Sequence, residues 1–426
     1  MRRPSNLRQA ERTHLDELAY NPAVPATSPK NSPVRREAAD RCPGALRLAE
    51  AADGYLARVR LPGGLVTGEQ LRALSGLAAE LADGRVELTS RGNVQLRALA
   101  ADAAESLTAA LARAGLLPSL EHDRVRNVVA SPLAGLDDLG SGRDLTEVVG
   151  ALDAGLCARP RLTELSGRFL FVIDDGRGDV AGLDADVLAV VQADGAVVNG
   201  LAANAFADNE LAAVMLEFAE AFLDLRAAAG STAWRIADLP GGAERVRALA
   251  ARRLGLAAGP ERPVPVTATR PVGLVRRRPH GAGAVEPRSV SEDGLDSAVL
   301  LAPLGRLTGA QLTWLAARAA GRPARITPWR SVVLPGQPDA DQALREAAAL
   351  GFGVDERSPW LRITACAGRP GCASALADVQ ADAAGFAARW PGRIVHVSGC
   401  GRHCGRPAAT EIDVTATSEG YEIAEV

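Results

Sequence analysis

Alternation of apolar and polar positions predicts a strand, a helix and a hairpin within residues 54–100. The segment YLARVRL alternates and ends at Pro62-Gly63-Gly64, which is typical of a strand that stops at a turn. VELTS and NVQLRAL then predict a hairpin around Arg91-Gly92. Leucines recur at helical spacing between these strands and stop before Gly84: Leu71, Leu74, Leu77 and Leu81.

The same order of elements returns later in the chain. Thr67-Gly68-Glu69-Gln70-Leu71 is echoed by Thr308-Gly309-Ala310-Gln311-Leu312, and Leu88-Thr89 is echoed by Ile326-Thr327. Order, spacing and several identities agree, so we predict an internal duplication. The alternative is two unrelated strand–helix–strand units that match by chance.

The predicted fold class is α+β, because helical and strand-like segments are mixed in the larger regions that follow each repeat. A long helix is expected at 209–229 and a hairpin at Asp194-Gly195. Residues 1–40 are polar and show little periodicity, which is typical of a tail. The predicted segments are a tail (1–40), a first repeat unit (41–105), an α+β domain (106–255), a linker rich in Pro, Arg and Gly (256–292), a second repeat unit (293–338) and a cysteine-bearing α+β domain (339–426).

Composition narrows the classes of function. The 426 residues carry a net charge of −3, which gives no global attraction to nucleic acid or to an anionic membrane. We expect neither a transmembrane helix nor a signal peptide, and therefore a cytoplasmic protein with reduced thiols. The single lysine, Lys30, falls in the predicted tail, so no lysine ammonium is expected in the folded body as a proton donor.

Four late cysteines form the most specific motif of the chain. Cys366 and Cys372 are spaced C-x5-C, and Cys400 and Cys404 follow as C-x3-C. Small residues flank all four, which lets the backbone approach a cluster of iron and sulfide. Structural zinc usually prefers tighter pairs, and disulfides fit a cytoplasmic protein poorly. The spacing therefore favours a [4Fe–4S] cluster, while Cys42 and Cys157 are interpreted as small core residues.

Arginines occur at predicted strand ends and turns. The guanidinium group binds carboxylates in a bidentate manner and stays charged when partly buried, so a convergent set would suit a ligand with many carboxylates. For any single arginine, a solvated surface position is the simpler interpretation. The arginines considered are Arg58, Arg60, Arg91, Arg97, Arg124, Arg126, Arg168, Arg325 and Arg330.

These motifs resemble the nitrite/sulfite reductase superfamily from about residue 42 to the C-terminus. Its ferredoxin-like half-domains, paired about a pseudo-twofold axis, correspond to the two repeat units. The resemblance implies that Cys366, Cys372, Cys400 and Cys404 bind the [4Fe–4S] cluster, with Cys404 in the position that bridges to siroheme in the reductases. It also implies tetrapyrrole binding by a set of arginines: Arg58, Arg60, Arg91, Arg126 and Arg168.

Departures from the reductase pattern point to one branch of the superfamily. Where sulfite reductases have a Lys-x-Lys pair, this chain has Arg168-Phe169-Leu170, and Glu87 replaces an arginine. DRCPGALR, LSGRFLFVIDDGRGDV and RITPWR resemble the branch of cobalamin biosynthesis. That resemblance implies a monooxygenase that uses O2 to hydroxylate a metal-free tetrapyrrole, precorrin-3A, at C20 with formation of a γ-lactone.

The resemblance implies two further requirements, an electron donor and an oxygen-activating centre. The donor would be an NADH-linked reductase or a ferredoxin, and the centre a non-haem iron. Candidate iron ligands are His122, Asp123, His396 and His403, but no facial-triad spacing is visible and none is assigned. The alternatives are a siroheme-dependent nitrite or sulfite reductase and, from another class, a non-catalytic iron–sulfur carrier or zinc-stabilised module.

Overall fold

The computed structural model describes residues 40, 42–193, 195–204, 208–256, 266–267, 270–276 and 295–426. Nearly all of the predicted tail and most of the predicted linker therefore lie outside the described residues, as does the turn residue Asp194. Within the part described, helices and sheets are mixed, and the predicted α+β class is confirmed.

The first repeat unit contains the predicted strand, helix and hairpin. Its helices are α1 (Gly68–Leu81) and α2 (Ala103–Arg113). Its strands are β1 (Ala49–Ala51), β2 (Gly54–Val59), β3 (Leu65–Val66), β4 (Arg85–Leu88) and β5 (Val94–Leu99). Helix α1 begins with a capping box, in which Thr67 accepts from Gln70 N and the Gln70 side chain accepts from Thr67 N.

The next domain is a five-stranded sheet covered by helices. Its strands are β6 (Val128–Ala130), β7 (Phe171–Asp174), β8 (Val187–Gln192), β9 (Gly195–Val198) and β10 (Leu201–Asn204), in the order β10-β9-β8-β7-β6. Its helices are α3 (Thr146–Cys157), α4 (Asp208–Ala228) and α5 (Gly242–Leu254). Helix α4 matches the long helix predicted at 209–229, and the β8–β9 hairpin is also confirmed.

The second repeat unit has the same order of elements as the first. It comprises β11 (Gly273–Val275), β12 (Ser297–Leu301), β13 (Arg306–Thr308), α6 (Gly309–Arg318), β14 (Ala324–Ile326) and β15 (Ser331–Leu334), followed by α7 (Ala340–Ala349). Helix α6 begins with the same capping box, formed by Thr308 and Gln311. Strand β11 lies inside the segment predicted to be a linker and pairs with β12 at the edge of a sheet.

The two repeat units exchange a short strand and share one core. Strand β13 completes the first sheet, β1-β2-β5-β4-β13, while β3 completes the second, β11-β12-β15-β14-β3. Helices α1 and α6 pack together so closely that a Cβ on Gly68 would lie 2.4 Å from the carbonyl oxygen of Ala316. Neither sheet is complete without the other unit, so the two units form one symmetrical body.

The cysteine-bearing domain ends the chain as a small sheet backed by one helix. Its elements are β16 (Ile363–Ala365), α8 (Val379–Arg389), β17 (Val395–Ser398), β18 (Ile412–Thr417) and β19 (Gly420–Glu425). Strands β16, β17 and β18 are parallel, so their carboxyl ends meet at one edge. Throughout the part of the chain described, no helix is long and apolar enough to cross a membrane.

Candidate functional site

The first sheet has one apolar face and one polar face. Ala57, Val59, Val86, Leu88, Val94 and Leu96 point into the shared core. Their neighbours along each strand point the other way because side chains alternate across a strand. Four residues on β2, β5, β4 and β13 therefore lie at one level of the polar face, as the strand register pairs Arg58 with Gln95, Gln95 with Glu87, and Glu87 with Arg306.

Three predicted ligand-binding arginines have only neutral partners. Arg58 donates from Nη2 to Gln95 Oε1 at 3.3 Å. Arg60, which is 2% exposed, donates to the carbonyl oxygens of Pro43 and Arg124 at 3.3 and 3.5 Å. Arg91 donates to the carbonyl oxygens of Gly167 and Arg168. Among the residues that the structure describes, none of the three arginines pairs with a carboxylate.

The three guanidinium groups also act on one another. Burial, together with the nearby charges of Arg58 and Arg91, lowers the pKa of Arg60 to about 9. The pKa values of Arg58 and Arg91 are lowered too, first by burial, and for Arg91 also by Arg235 and Arg58. Within the part of the chain that the structure describes, buried Nε of Arg58, and Nε and Nη1 of Arg60, have no hydrogen-bond partner. A positive pocket whose charge is compensated only in part is suited to an anion.

We call the group formed by Arg58, Arg60 and Arg91 the arginine pocket, and two other residues border it. Cys42 is half-buried, and burial and Asp40 raise the pKa of its thiol, while the charges of Arg168 and Arg60 lower it. Arg168 is exposed, and its guanidinium carbon lies 5.2 Å from the centre of the Trp234 ring. Cys42 is therefore at the pocket edge rather than in a hydrophobic core cluster.

Arg126 differs from the other predicted ligand-binding arginines. It is 3% exposed and forms a bidentate ion pair with Asp153, at 2.6 and 2.7 Å, and Nη1 donates to the carbonyl oxygen of Leu116 at 3.1 Å. Hydrogen bonding and the Asp153 charge outweigh burial and raise the pKa of Arg126. Because its guanidinium is already neutralised, we do not carry Arg126 into the proposed binding site.

The four late cysteines lie around the carboxyl ends of β16 and β17. Cys366 directly follows β16, and its backbone N–H donates to the carbonyl oxygen of Val397 at 3.1 Å. The backbone N–H of Gly399, next to Cys400, donates to Cys366 Sγ at 3.1 Å. Cys372 is tied to the same edge because Ala375 N donates to its carbonyl oxygen and Leu376 N donates to Gly399 O. Cys404 is exposed on the loop that follows Cys400.

The surroundings of these thiols fit an iron–sulfur cluster. All four cysteines are free thiols, and Cys366 Sγ already accepts a backbone N–H, as cluster thiolates commonly do. Gly399 has little room, since a Cβ there would lie 2.7 Å from Ala375 Cβ. Positions 401 and 405 are open, because a Cβ on either glycine would meet nothing within 4 Å.

We call the segment from Cys366 to Cys372, which follows β16, the cysteine loop. Two hydrogen bonds attach it to neighbouring elements. Arg97 on β5 pairs with Asp53 and donates from Nη2 to the carbonyl oxygen of Gly371 at 3.0 Å. Gln380 on α8 donates from Nε2 to the carbonyl oxygen of Cys366 at 3.1 Å. The polar face of the first sheet and the cysteine loop are therefore in direct contact.

The candidate iron ligands are two consecutive residues, His122 and Asp123, and two histidines that lie near each other, His396 and His403. His122 is satisfied by Ser119 Oγ and the Arg159 carbonyl oxygen, at 2.8 and 3.0 Å. Asp123 Oδ2 accepts from the backbone of Ala45 at 2.7 Å. His396 is fully buried on β17, and burial lowers its pKa to about 4, whereas His403 Nδ1 lies 3.0 Å from Asp413 Oδ2.

Another acidic group lies at the end of β7. Oxygens of Asp174, Asp175 and Asp179 lie within 4.8 Å of one another. Arg177 neutralises Asp175 in a bidentate pair, and four backbone N–H groups donate to Asp174. We therefore assign this group no metal.

Sequence reasoning missed Gln95 and Gln380, which connect the arginine pocket and the cysteine loop to other side chains. The alternation of NVQLRAL does place Gln95 on the polar face beside Arg97, so a signal was present. No motif marks Gln380, whose role follows only from the packing of α8 against β16.

Comparison with known proteins gives a consistent result. Residues 48–114 match the nitrite/sulfite reductase ferredoxin-like half domain. A precorrin-3B synthase of Sinorhizobium sp is 27% identical over 427 residues, covering 96% of this chain and 87% of the relative. A ferredoxin–nitrite reductase of Synechococcus elongatus is 27% identical over 397 residues, covering 84% of this chain and 75% of the relative.

A solved structure supports the same fold. The NirA protein of Mycobacterium tuberculosis superposes with a TM-score of 0.65 at 20% identity, covering 91% of this chain and 77% of that one. The predicted resemblance and the predicted fold are both confirmed by these findings.

Proposed function

Because the chain resembles the nitrite/sulfite reductase superfamily over nearly its whole length, we propose that it is a precorrin-3B synthase. Its reaction would be the O2-dependent hydroxylation of precorrin-3A at C20 with closure of a γ-lactone. Cys366, Cys372, Cys400 and Cys404 would hold a [4Fe–4S] cluster, and the arginine pocket would hold the carboxylates of the tetrapyrrole.

The observation that carries this proposal is the arginine pocket itself. Elsewhere in the described chain, buried arginines are paired with acids, as Arg126 is with Asp153 and Arg177 is with Asp175 and Asp137. Arg58, Arg60 and Arg91 form no ion pair with a described carboxylate, and the charges of Asp123 and Asp186 offset the burial of Arg60 and Arg91 only in part. A ligand that brings several carboxylates would supply the missing charges in the geometry that guanidinium groups prefer.

Each arginine would contribute to orientation rather than to bond making. Arg58 and Arg60 lie two residues apart on the same side of β2 and its extension, while Arg91 approaches from the β4–β5 turn. Carboxylates held from two directions fix the ring in its plane and decide which carbon faces the oxidant. Arg168, exposed at the edge, would contact an outer carboxylate.

The cysteine loop would place electron-transfer chemistry beside that pocket. When bound, a [4Fe–4S] cluster supplies electrons one at a time. The chain's own contribution is to hold the thiols near β2 and β5, through the bond from Arg97 to the Gly371 carbonyl oxygen. The oxygen-activating centre, proposed as a non-haem iron, has no ligand assigned here.

The proton supply favours an oxygenase over a sulfite reductase. Sulfite reduction consumes many protons, and the chain's single lysine is Lys30, in the predicted tail. An ordinary guanidinium group holds its proton too tightly to be a good donor, and Arg60, whose pKa is lowered to about 9 by burial, is a single group set against the many protons required. Hydroxylation of a metal-free tetrapyrrole makes a smaller demand on proton donors.

Anaerobic purification followed by turnover tests the proposal. Iron and acid-labile sulfide are measured first, and the protein is then incubated with precorrin-3A, a reductant and O2, with the product identified by mass. Cys366→Ser should lose iron, sulfide and activity together, while Cys157→Ser, a half-buried thiol on α3, serves as the matched control and should keep all three. Full activity and iron content in Cys366→Ser would contradict the ligand assignment.

Binding of the tetrapyrrole is tested separately. Arg58→Gln should weaken affinity by at least about tenfold, because a charge-assisted bond to carboxylate contributes about 1.5–3 kcal/mol. Arg253→Gln, which removes a surface arginine paired with Glu217 and Asp224, is the matched control and should leave affinity unchanged. Equal affinity in both variants would remove Arg58 from the binding site.

A siroheme-dependent nitrite or sulfite reductase is the second candidate. The similarity to a ferredoxin–nitrite reductase over 84% of this chain favours it, and Cys404, the position that bridges to siroheme in the resemblance, is exposed. Absorption of the purified protein separates the two functions. A tightly bound chromophore with a strong Soret band, together with nitrite or sulfite turnover, would establish the reductase and defeat the oxygenase.

A further inference from the structure

A continuous row of polar side chains crosses the first sheet from the arginine pocket. Arg58, Gln95, Glu87 and Arg306 are direct cross-strand neighbours on β2, β5, β4 and β13. Directly opposed side chains on one face of a sheet are close enough to interact. The row therefore follows from strand register and does not depend on flexible loops.

Two hydrogen bonds and one ion pair connect these four side chains, and the hydrogen bonds fix which end of the Gln95 amide faces which neighbour. Arg58 Nη2 donates to Gln95 Oε1 at 3.3 Å, and Gln95 Nε2 donates to Glu87 Oε2 at 2.6 Å. On the other side, Arg306 Nε lies 3.4 Å from Glu87 Oε1. Because a carboxylate can only accept, Glu87 forces the Gln95 amide to present its nitrogen to Glu87 and its oxygen to Arg58.

The row continues to the cysteine loop. Arg306 Nη1 donates to Gln380 Oε1 on α8, and Gln380 Nε2 donates to the carbonyl oxygen of Cys366 at 3.1 Å. The second amide is thus also oriented, with its oxygen on the arginine and its nitrogen on the cysteine backbone. Hydrogen bonds, together with the ion pair between Glu87 and Arg306, join Arg58 to Cys366, and Glu87 is the acidic member at the centre of the row.

We propose that this row, centred on Glu87, couples ligand binding in the arginine pocket to the reduction potential of the cluster held by Cys366. The inference rests on the proposed function. A ligand carboxylate that pairs with Arg58 weakens the polarisation of Gln95, and Glu87 then attracts Arg306 more strongly. Gln380 consequently donates less effectively to the Cys366 carbonyl oxygen, because neighbouring charges and hydrogen bonds polarise one another.

The direction of the coupling follows from charge. An added electron is stabilised less when donation toward Cys366 weakens, so the ligand lowers the potential. By reciprocity, the ligand binds the oxidised protein more tightly than the reduced protein. A tenfold difference in affinity corresponds to a shift of about 59 mV for a one-electron couple.

The test uses the full chain, purified anaerobically with its cluster, and uroporphyrin, a metal-free tetrapyrrole with acetate and propionate arms. The potential is measured by an EPR-monitored redox titration with and without uroporphyrin, and affinity is measured in both redox states. The wild type should show a shift toward lower potential of about 59 mV, for a tenfold affinity ratio. Glu87→Gln and Gln380→Met, which interrupt the row at two separate links, should each lose at least half of that shift.

A matched control is available on the same arginine. Asp83 Oδ2 accepts from Arg306 Nη2 at 2.9 Å but is not part of the row, so Asp83→Asn removes an equal charge and should keep the full shift. Gln380→Met leaves the arginine pocket untouched, so its affinity for uroporphyrin in the oxidised state should match the wild type. This readout separates coupling from a structural effect on binding.

The other possible outcomes contradict either the coupling alone or the proposed function together with the coupling. A full shift in both Glu87→Gln and Gln380→Met overturns the coupling while leaving the proposed function intact. Loss of the shift in Asp83→Asn as well as in the row variants also overturns it, because the effect would then be one of general charge. A wild-type protein that assembles no cluster or binds no uroporphyrin refutes the proposed function, and the coupling with it.

Discussion

Replacement of Arg60 by methionine should stabilise the protein while it weakens tetrapyrrole binding. Arg60 is 2% exposed, and Nε and Nη1 have no hydrogen-bond partner in the described part of the chain. Burial, together with the charges of Arg58 and Arg91, lowers the pKa of Arg60 from its ordinary value to about 9. Methionine has a similar length and flexibility but no charge, so it fills the same space without the cost of burying a cation.

The magnitude follows from that pKa. The lowering to about 9 corresponds to at most about 5 kcal/mol of penalty on the charged form at neutral pH. Arg60→Met also removes two long hydrogen bonds, to the carbonyl oxygens of Pro43 and Arg124, which together contribute about 2 kcal/mol. A net gain of about 1–3 kcal/mol in the free energy of unfolding is expected.

The gain should depend on pH in a defined direction. The folded-state pKa of Arg60 lies well below its unfolded value, so the unfolded chain binds more protons in the window that opens at about pH 9. Wild-type stability therefore rises through this window as Arg60 is relieved of its charge. The advantage of Arg60→Met should be complete below pH 9 and should shrink above it. Affinity of the wild type for an anionic ligand should fall over the same range.

Chemical denaturation of wild type and variant at pH 7.5 and pH 10 measures the effect, and a titration with uroporphyrin measures binding. Arg253→Gln, at a solvent-exposed surface pair, is the control and should change neither quantity by much. If Arg60→Met lost more than about 1 kcal/mol at pH 7.5, Arg60 would be a structural residue and the argument for an anion site would fail.

Three further predictions follow from side chains outside the pocket. Arg126→Ala should cost about 3–5 kcal/mol in denaturation because it leaves Asp153 unpaired, yet the folded variant should bind uroporphyrin normally; lost affinity without lost stability would contradict this. Burial raises the pKa of Asp179 to about 7, so its cost in stability grows from about pH 4, where the unfolded carboxyl ionises, and is complete above pH 7. Asp179→Asn should therefore gain about 1–2 kcal/mol at pH 8 and less at pH 5. Gly68→Ala would bring a methyl group against the Ala316 carbonyl oxygen and should destabilise the protein by about 1–3 kcal/mol. Gly76→Ala, on the open side of α1, should stabilise it by about 0.5–1 kcal/mol. Similar effects of the two variants on thermal unfolding would argue against a tight contact between α1 and α6.

Much of the fold was predictable because the signals were local. Alternation and helical spacing located the elements of the first repeat unit, and the Thr-Gly-x-Gln-Leu motif located the second. Both copies of that motif form the same capping box, at Thr67 and Thr308. A capping box is formed by two residues three apart in sequence, so it can be predicted without knowledge of the remainder of the chain.

Strand exchange between the two units was not predictable in detail. Strands β3 and β13 contain two and three residues, and each pairs with the other unit's sheet rather than its own. Short strands carry little sequence pattern, and their pairing partner is chosen by tertiary packing. The predicted linker similarly contained β11, because an edge strand beside Pro- and Arg-rich sequence has few alternating positions from which to detect it.

The arginines show most clearly where sequence reasoning ends. Arg58 and Arg126 both occur in short motifs that resemble tetrapyrrole-binding segments, yet in the described part of the chain only Arg126 forms an ion pair with an acid. That acid, Asp153, is 27 residues away on another element, and no local pattern links the two. Because the basic residues of this chain are nearly all arginine, residue type alone does not distinguish an arginine in an internal ion pair from an arginine that binds a ligand. The fold places a carboxylate beside Arg126, whereas no carboxylate among the described residues pairs with Arg58, Arg60 or Arg91. The buried charges of the arginine pocket destabilise the folded protein, and a polycarboxylate that pairs with them would bind more tightly for that reason.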